Sequence, residues 1–194
     1  MNVLVACEMS GRVRDAFIAR GHTAISCDLL PTEVEGPHYQ GDIRDLDLTQ
    51  FDLMIAHPPC THLASSGARW FKDKVVEQQA ALEFVLWLAA APIEKIAIEN
   101  PVGVLSSKWR KPDQIIQPWQ FGDEATKTTC LWTKNLPALV PTNVVDKGEQ
   151  VRLQNGKNMA RWYYESFKLP AKERAIVRSR TFEGIAKAMA EQWG

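Results

Sequence analysis

Short apolar runs alternate with longer amphipathic stretches over the first hundred positions. Val3-Leu4-Val5-Ala6, Thr23-Ala24-Ile25-Ser26-Cys27, Leu53-Met54-Ile55-Ala56 and the segment Ile93 to Ile98 are β-rich. Such short continuous runs suit strands covered on both faces, as in a parallel sheet. Between the first two, Val13, Ala16 and Phe17 have helical spacing, and Arg20-Gly21 supplies a glycine stop. Lys72 to Ala91 reads as a long helix with a broad apolar face, broken by Pro92. Strands alternating with helices predict an α/β fold with a mostly parallel sheet and helices on both faces.

The alternation fails after Val102. Residues 103–170 read as loop-rich, with Pro112, Pro118, Pro137 and Pro141, and with short β-like pieces at Gln114 to Trp119 and Thr129 to Thr133. Two helices are expected at the end, Ala171 to Val177 and Phe182 to Trp193, the second capped by Ser179 or Thr181. Thr32 to Gln40 reads as loop, and Pro101 suits the start of a helix. No internal repeat or low-complexity linker is visible. The organisation expected is one domain over 1–194: a core over 1–105, a reduced substrate-facing insertion over 106–170, and C-terminal helices over 171–194 that pack back on the core.

Composition narrows the class. The chain has 194 residues, 45% hydrophobic and 24% charged, enough for a sizeable core and unlike a disordered chain. The longest apolar run, Phe84 to Ile93, is too short for a bilayer, so no membrane association is expected. Cys7, Cys27, Cys60 and Cys130 lack ligand-like spacing, so no metal site or disulfide framework is indicated, and a reduced cytoplasmic setting is expected. Net charge is zero, yet residues 1–100 carry 8 Lys and Arg against 14 Asp and Glu, while residues 101–194 carry 15 against 9. The basic half also holds Trp109, Trp119, Trp132, Trp162 and Trp193. Basic residues interleaved with aromatics suit a polyanion with exposed bases, although a solvated face over an aromatic core has the same composition.

Candidate chemistry gathers where the strands end. The first strand runs into Cys7-Glu8-Met9-Ser10-Gly11-Arg12 and then a helix, whose N-terminus can face an anionic group. The second ends on Asp28, placed as a ribose-holding acid. Gly41-Asp42-Ile43 sets another acid at a loop or strand end. His57-Pro58-Pro59-Cys60 turns stiffly off the central strand and presents a thiol, and Glu99-Asn100-Pro101 closes the next strand. A cysteine in apolar surroundings is most often inert core, and a strand-end carboxylate is often a helix cap. Ligands in open α/β sheets sit beyond the carboxyl ends of the strands, so five chemically useful residues there point to a site. A dinucleotide glycine fingerprint is absent, which favours another nucleoside cofactor over NAD.

Taken in order, these motifs resemble those of DNA cytosine-5 methyltransferases, in a compact phage-type form. Cys7, Glu8, Met9 and Gly11 sit where the family's glycine-rich S-adenosylmethionine loop lies. Asp28 sits at the ribose acid, Asp42 at the acid that contacts the adenine amino group, Pro59-Cys60 at the catalytic Pro-Cys, and Glu99-Asn100-Pro101 at the Glu-Asn-Val motif. The helix after Ser179-Arg180-Thr181 resembles the last motif, which folds back to the cofactor. The likeness covers 1–105 and 178–194. Only one of three loop glycines is present, Thr61 replaces the Gln after Pro-Cys, and the Gln-x-Arg-x-Arg motif is not evident, with Lys127 standing in for one arginine. The roughly 65 residues from Ser106 to Pro170 are too few for the large target-recognition domain.

The resemblance implies a Rossmann-like S-adenosylmethionine-dependent methyltransferase fold acting on DNA. Cys60 would add to carbon 6 of cytosine, and Glu99, protonated or sharing a proton, would bond ring nitrogen 3. Cys7, Glu8, Met9, Gly11, Asp28, Asp42 and Pro59 would contact the cofactor. Thr61, Ser65, Arg69, Trp70, Asn100 and Lys127 would contact substrate, with the segment Leu63 to Trp70 as a flexible lid over a flipped base. His57 or His62 would assist thiolate formation only if not structural. Pro58-Pro59-Cys60 with His62 also resembles thymidylate synthase, which leaves a nucleotide-level pyrimidine carbon-5 transferase open. A degenerate fold that only binds nucleic acid, and a donor carrying a group other than methyl, stay open too, as does the oligomeric state.

Overall fold

The computed structural model describes the backbone of residues 1–194 and every side chain except that of Trp70, so the expectation for that side chain lies outside the described residues. The strands are β1 (Asn2–Ala6), β2 (Thr23–Asp28), β3 (His38–Gln40), β4 (Leu53–Ala56), β5 (Lys95–Pro101), β6 (Gln114–Ile116), β7 (Thr129–Lys134), β8 (Gln150–Arg152) and β9 (Asn158–Ala160). The helices are α1 (Arg12–Ala19), α2 (Val75–Ala89), α3 (Leu105–Lys108), α4 (Arg161–Glu165), α5 (Ala171–Ser179) and α6 (Glu183–Trp193).

Seven strands form one sheet in the order β3-β2-β1-β4-β5-β7-β6. β1, β2, β3, β4 and β5 run parallel, and β7 is antiparallel to both β5 and β6. This is a Rossmann-like open α/β sheet, with a reversed strand inserted near one edge. The small β8–β9 ladder forms a separate antiparallel pair.

Alternation along the strands divides the core. Val3, Val5, Leu53, Ile55, Ala97 and Leu131 face α1 and α6, where Val13, Phe17, Ile185, Met189 and Trp193 close the layer. Leu4, Ala6, Met54, Ala56, Ile96 and Ile98 face α2, through Leu82, Val85 and Leu88. Helices therefore cover both faces, as the uninterrupted apolar runs require.

Some elements differ from expectation. Pro101 does not start a helix; it ends β5, paired with Thr129 of β7. A ladder closed by a proline loses only the donor that the next pair would have used. The segment Thr32 to Gln40 contains β3, and 148–165 contains β8, β9 and α4, all too short and polar to show a period. Neither Ser179 nor Thr181 caps α6. Its N-cap is Phe182, without a side-chain bond, and the Gly184 amide instead donates to Asp123 Oδ2 at 2.8 Å, 61 residues earlier.

A fully buried Arg14 fixes the loop that follows β2. Its guanidinium donates to Asp15 Oδ1 at 2.7 Å, Ser26 Oγ at 3.3 Å, Thr32 Oγ1 at 3.3 Å and the Glu35 carbonyl at 3.1 Å. A buried cation persists only with such partners. Gly11, at φ 74°, leaves room for it: a Cβ there would fall 2.6 Å from Arg14 Nη2. Packing against the arginine and a left-handed N-cap thus account for this glycine.

Asp123→Ala removes a cap contributed from a distant segment. It is expected to lower stability by about 1 kcal/mol, read as a fall in Tm of about 2–4 °C by differential scanning calorimetry for a chain of this size.

Candidate active site

Adjacent parallel strands in register deliver their next residues side by side. Ala56 of β4 pairs with Ile98 of β5, so His57 follows next to Glu99. His57 Nδ1 lies 3.2 Å from Glu99 Oε2, with the two side chains 7% and 13% exposed. The histidine assigned no firm role from sequence is therefore the carboxylate's direct partner. Only the strand register reveals this, since 42 residues separate the two in the chain. His57 Nε2 is buried without a hydrogen-bond partner.

Beyond His57 the chain turns through Pro58, buried, and Pro59, exposed, to an exposed Cys60. The Cys60 carbonyl accepts from the Leu63 amide at 3.0 Å and the Ala64 amide at 2.9 Å, which closes a tight turn. Asn100, 1% exposed, donates from Nδ2 to the Pro58 carbonyl at 2.9 Å. It braces the proline turn and lies beneath the surface at which a ligand would dock.

Lys127, just before β7, completes the cluster. Its Nζ donates to the carbonyls of Arg178 at 3.1 Å and Arg180 at 3.3 Å, and its charge acts on both Glu99 and Cys60. Burial is the largest influence on Glu99 and by itself would raise its carboxyl. The His57 hydrogen bond, the Lys127 charge and the His57 charge together outweigh it and hold the carboxyl below its ordinary value. Of the two states expected of Glu99, protonated or sharing a proton, the hydrogen bond to His57 matches the second. Cys60 moves the other way. Although the residue is exposed at the surface, the protein packed around its sulfur raises the thiol most, the Glu99 charge raises it further, and Lys127 opposes them. The thiol is not pre-activated.

The segment expected to be a lid, Leu63 to Trp70, runs into a 3-10 helix, Ser65–Asp73, which is bonded at its start to the turn after β5. The Ser65 amide donates to the Val102 carbonyl at 2.9 Å and the Val104 amide to the Leu63 carbonyl at 2.9 Å, with Ala64 bridged to Gly103. Backbones approach so closely that a Cβ on Gly103 would lie 1.9 Å from the Leu63 carbonyl oxygen. Thr61, Ser65 and Arg69 are exposed.

A cleft of about 240 Å³ opens beside this turn, lined by Cys7, Asp28, Asp42 and Pro59 together with Leu29, Arg44 and other residues. Pro59 joins the cleft to Cys60. Cys7 has a left-handed backbone, φ 58°, where β1 ends. Its thiol is pushed up to about 12 by burial and by the nearby Asp28, Cys27 and Asp42, so it stays protonated. Asp28 Oδ1 accepts the Leu30 amide at 2.9 Å; Asp42 accepts the Arg44 amide at 3.0 Å and its guanidinium at 3.2 Å.

Glu8, Met9 and Gly11 are not among the residues that line the cleft. Glu8, 5% exposed, receives the Ser10 hydroxyl on Oε1, while Oε2 is buried without a partner. The Met9 carbonyl accepts the Glu33 amide at 2.8 Å. The C-terminal segment does return to this region: Arg180 grips Glu33 through two bonds of 2.8 Å, and Arg12 Nη1 donates to the Thr181 carbonyl at 2.9 Å.

The cluster makes two expectations. Glu99→Gln removes a charge that raises the Cys60 thiol, and Lys127→Met removes one that lowers it. The pH midpoint for iodoacetamide alkylation of Cys60, followed on its peptide by mass spectrometry, should move down in the first variant and up in the second; movement in one common direction would contradict the coupling. Gly103→Ala should destabilise the protein by about 2 kcal/mol or more in urea unfolding, because backbone has to shift to admit the methyl.

Among the described residues no helix is long and apolar enough to cross a membrane. No protein-family model matches the chain, and no curated protein does. Among solved structures it is similar to a crystal structure of a Spodoptera frugiperda DNMT2 mutant, at 12% identity and a TM-score of 0.43. The match covers 89% of this chain and 61% of that one, so the chain spans about three fifths of that protein's length. The likeness is distant, and the site's chemistry rests on its own geometry.

Proposed function

We propose that the protein is an S-adenosylmethionine-dependent methyltransferase that modifies carbon 5 of cytosine in DNA through a covalent Cys60 adduct. One observation carries this reading. An exposed thiol and a nearly buried carboxylate follow neighbouring strands and act on one another electrostatically, and the thiol comes one residue after Pro59, which lines a cleft carrying Asp28 and Asp42.

The cleft suits the cofactor's charges. Asp28 and Asp42 supply carboxylates on its lining, Asp42 paired with Arg44 beside it. A cationic sulfonium beside such carboxylates is favoured by charge. Asp28 would take the ribose hydroxyls and Asp42 the base edge. S-adenosylmethionine, when bound, supplies an electrophilic methyl group.

The protein's own groups then do the following. Cys60 sulfur adds to carbon 6 of the pyrimidine, and its proton leaves to solvent. Electron density moves to ring nitrogen 3, which takes a proton held by the His57–Glu99 pair. Carbon 5 becomes nucleophilic. Carbon 5 would take the cofactor's methyl group; its proton then passes to solvent, Cys60 is expelled as the carbon 5–carbon 6 double bond re-forms, and the nitrogen 3 proton returns to the pair. Thr61, Ser65 and Arg69 would lie toward the substrate, on the turn and the 3-10 helix after Cys60.

Tritium transfer from labelled S-adenosylmethionine to DNA, with nucleoside mass spectrometry of the product, tests the reading. Cys60→Ser should abolish 5-methylcytosine, and Glu99→Gln should reduce its rate by about 10²–10³-fold. Label entering deoxycytidine monophosphate and not DNA, or product formed by Cys60→Ser, would overturn it.

A further inference from the structure

The basic excess of the second half of the chain is concentrated in one place. Residues 150–180 hold 8 Lys and Arg against 2 Asp and Glu. They form the β8–β9 ladder with α4 and α5, outside the main sheet. Arg152, Lys157 and Lys172 are exposed and have no carboxylate partner among the described residues.

Aromatic rings are set among these charges. Trp162, Tyr163 and Phe167 meet edge to face, with centroids 5.6 Å apart in each consecutive pair. Arg178 lies 3.8 Å from the Tyr163 centroid and 4.2 Å from that of Phe167, and Arg174 lies 5.8 Å from Phe167. Phe167 is nevertheless 51% exposed and Tyr164 38%. Phe167, half-exposed and held by the Arg174 and Arg178 guanidinium groups, offers a stacking surface at little entropic cost.

This unit is tied to the candidate site. Trp162 Nε1 donates to the Thr126 carbonyl at 3.2 Å, and Lys127 Nζ binds the carbonyls at the end of α5. Lys127 is also the cation that acts on Cys60 and Glu99. The basic unit and the thiol–carboxylate pair are therefore joined through two consecutive residues.

We propose that residues 150–180 are the docking surface for a single-stranded stretch of nucleic acid, with cations on its phosphates and Phe167 stacked on a base. Placement of that strand beside a pyrimidine site rests on the function proposed above; the binding itself does not. A single strand fits better than a duplex because exposed rings need unpaired bases, which a duplex hides. Cations alone would serve either form.

Fluorescence anisotropy with a labelled 20-nucleotide DNA strand and its duplex, over 50–300 mM NaCl, tests this without cofactor or turnover. The protein should bind the single strand more tightly. Arg152→Glu/Lys157→Glu/Lys172→Glu should weaken binding at least tenfold, and the slope of log affinity against log salt should fall by roughly two, since each phosphate contact to a single strand contributes about 0.7. Phe167→Ala should weaken single-strand binding by about 5- to 100-fold and leave the slope intact. The inference is overturned if the triple variant keeps its affinity and slope, or if a matched reversal outside the unit, Arg20→Glu/Lys95→Glu/Lys187→Glu, weakens binding equally. Duplex preference that is indifferent to Phe167→Ala also overturns it. So does self-association in sedimentation velocity that the first triple variant abolishes while no DNA binds, which would assign the surface to a second copy's acidic half. Retained binding with no 5-methylcytosine formed would instead count against the chemistry.

Discussion

Burial of the central strands on both faces governs the rest of the molecule. Every side chain from Val3 to Ala6 and from Leu53 to Ala56 is fully buried, so these strands cannot carry a charge. Polar chemistry begins only where a strand leaves the layers. Because β4 and β5 are parallel and in register, they leave together, and His57 emerges against Glu99. A one-residue slip would turn one of the two into the opposite core.

The electrostatics of the cluster follow from that geometry. A carboxylate almost removed from water needs compensation, and it has two sources: an imidazole at hydrogen-bond distance and the Lys127 ammonium. Burial raises the Cys60 thiol most, and the same negative charge raises it further. The states of the acid and the thiol are consequently linked, and a neutral ligand that shifts one shifts the other. Such linkage needs no moving part, only a low local dielectric and short separations.

Loops of unrelated sequence origin are held around the cleft by long-range polar contacts. Arg14 gathers the segment after β2, Arg180 fastens Glu33 to the approach to α6, and Lys127 fastens the approach to β7 to the end of α5. Each long cation satisfies carbonyls or carboxylates that are far apart in the chain. The Ser65–Asp73 segment, whose small residues suggested flexibility, forms a 3-10 helix among these contacts.

Apolar runs and their spacing determined the sheet, the flanking helices and the strand ends at which Cys60, Asp28, Asp42 and Glu99 appear, because two-sided burial leaves a direct mark on composition. Local sequence could not determine the partners that those residues meet. Whether Glu99 carries a proton depends on His57 and Lys127, 42 residues before it and 28 after it along the chain. Gly11 and Gly103 are glycines because of Arg14 and the Leu63 carbonyl, and α6 is capped from Asp123. The short pieces β3, β8, β9 and α4 have no period of their own and take shape from what they pack against. Periodicity records which face is buried; the state of a charge is set by neighbours that only the folded chain brings within reach.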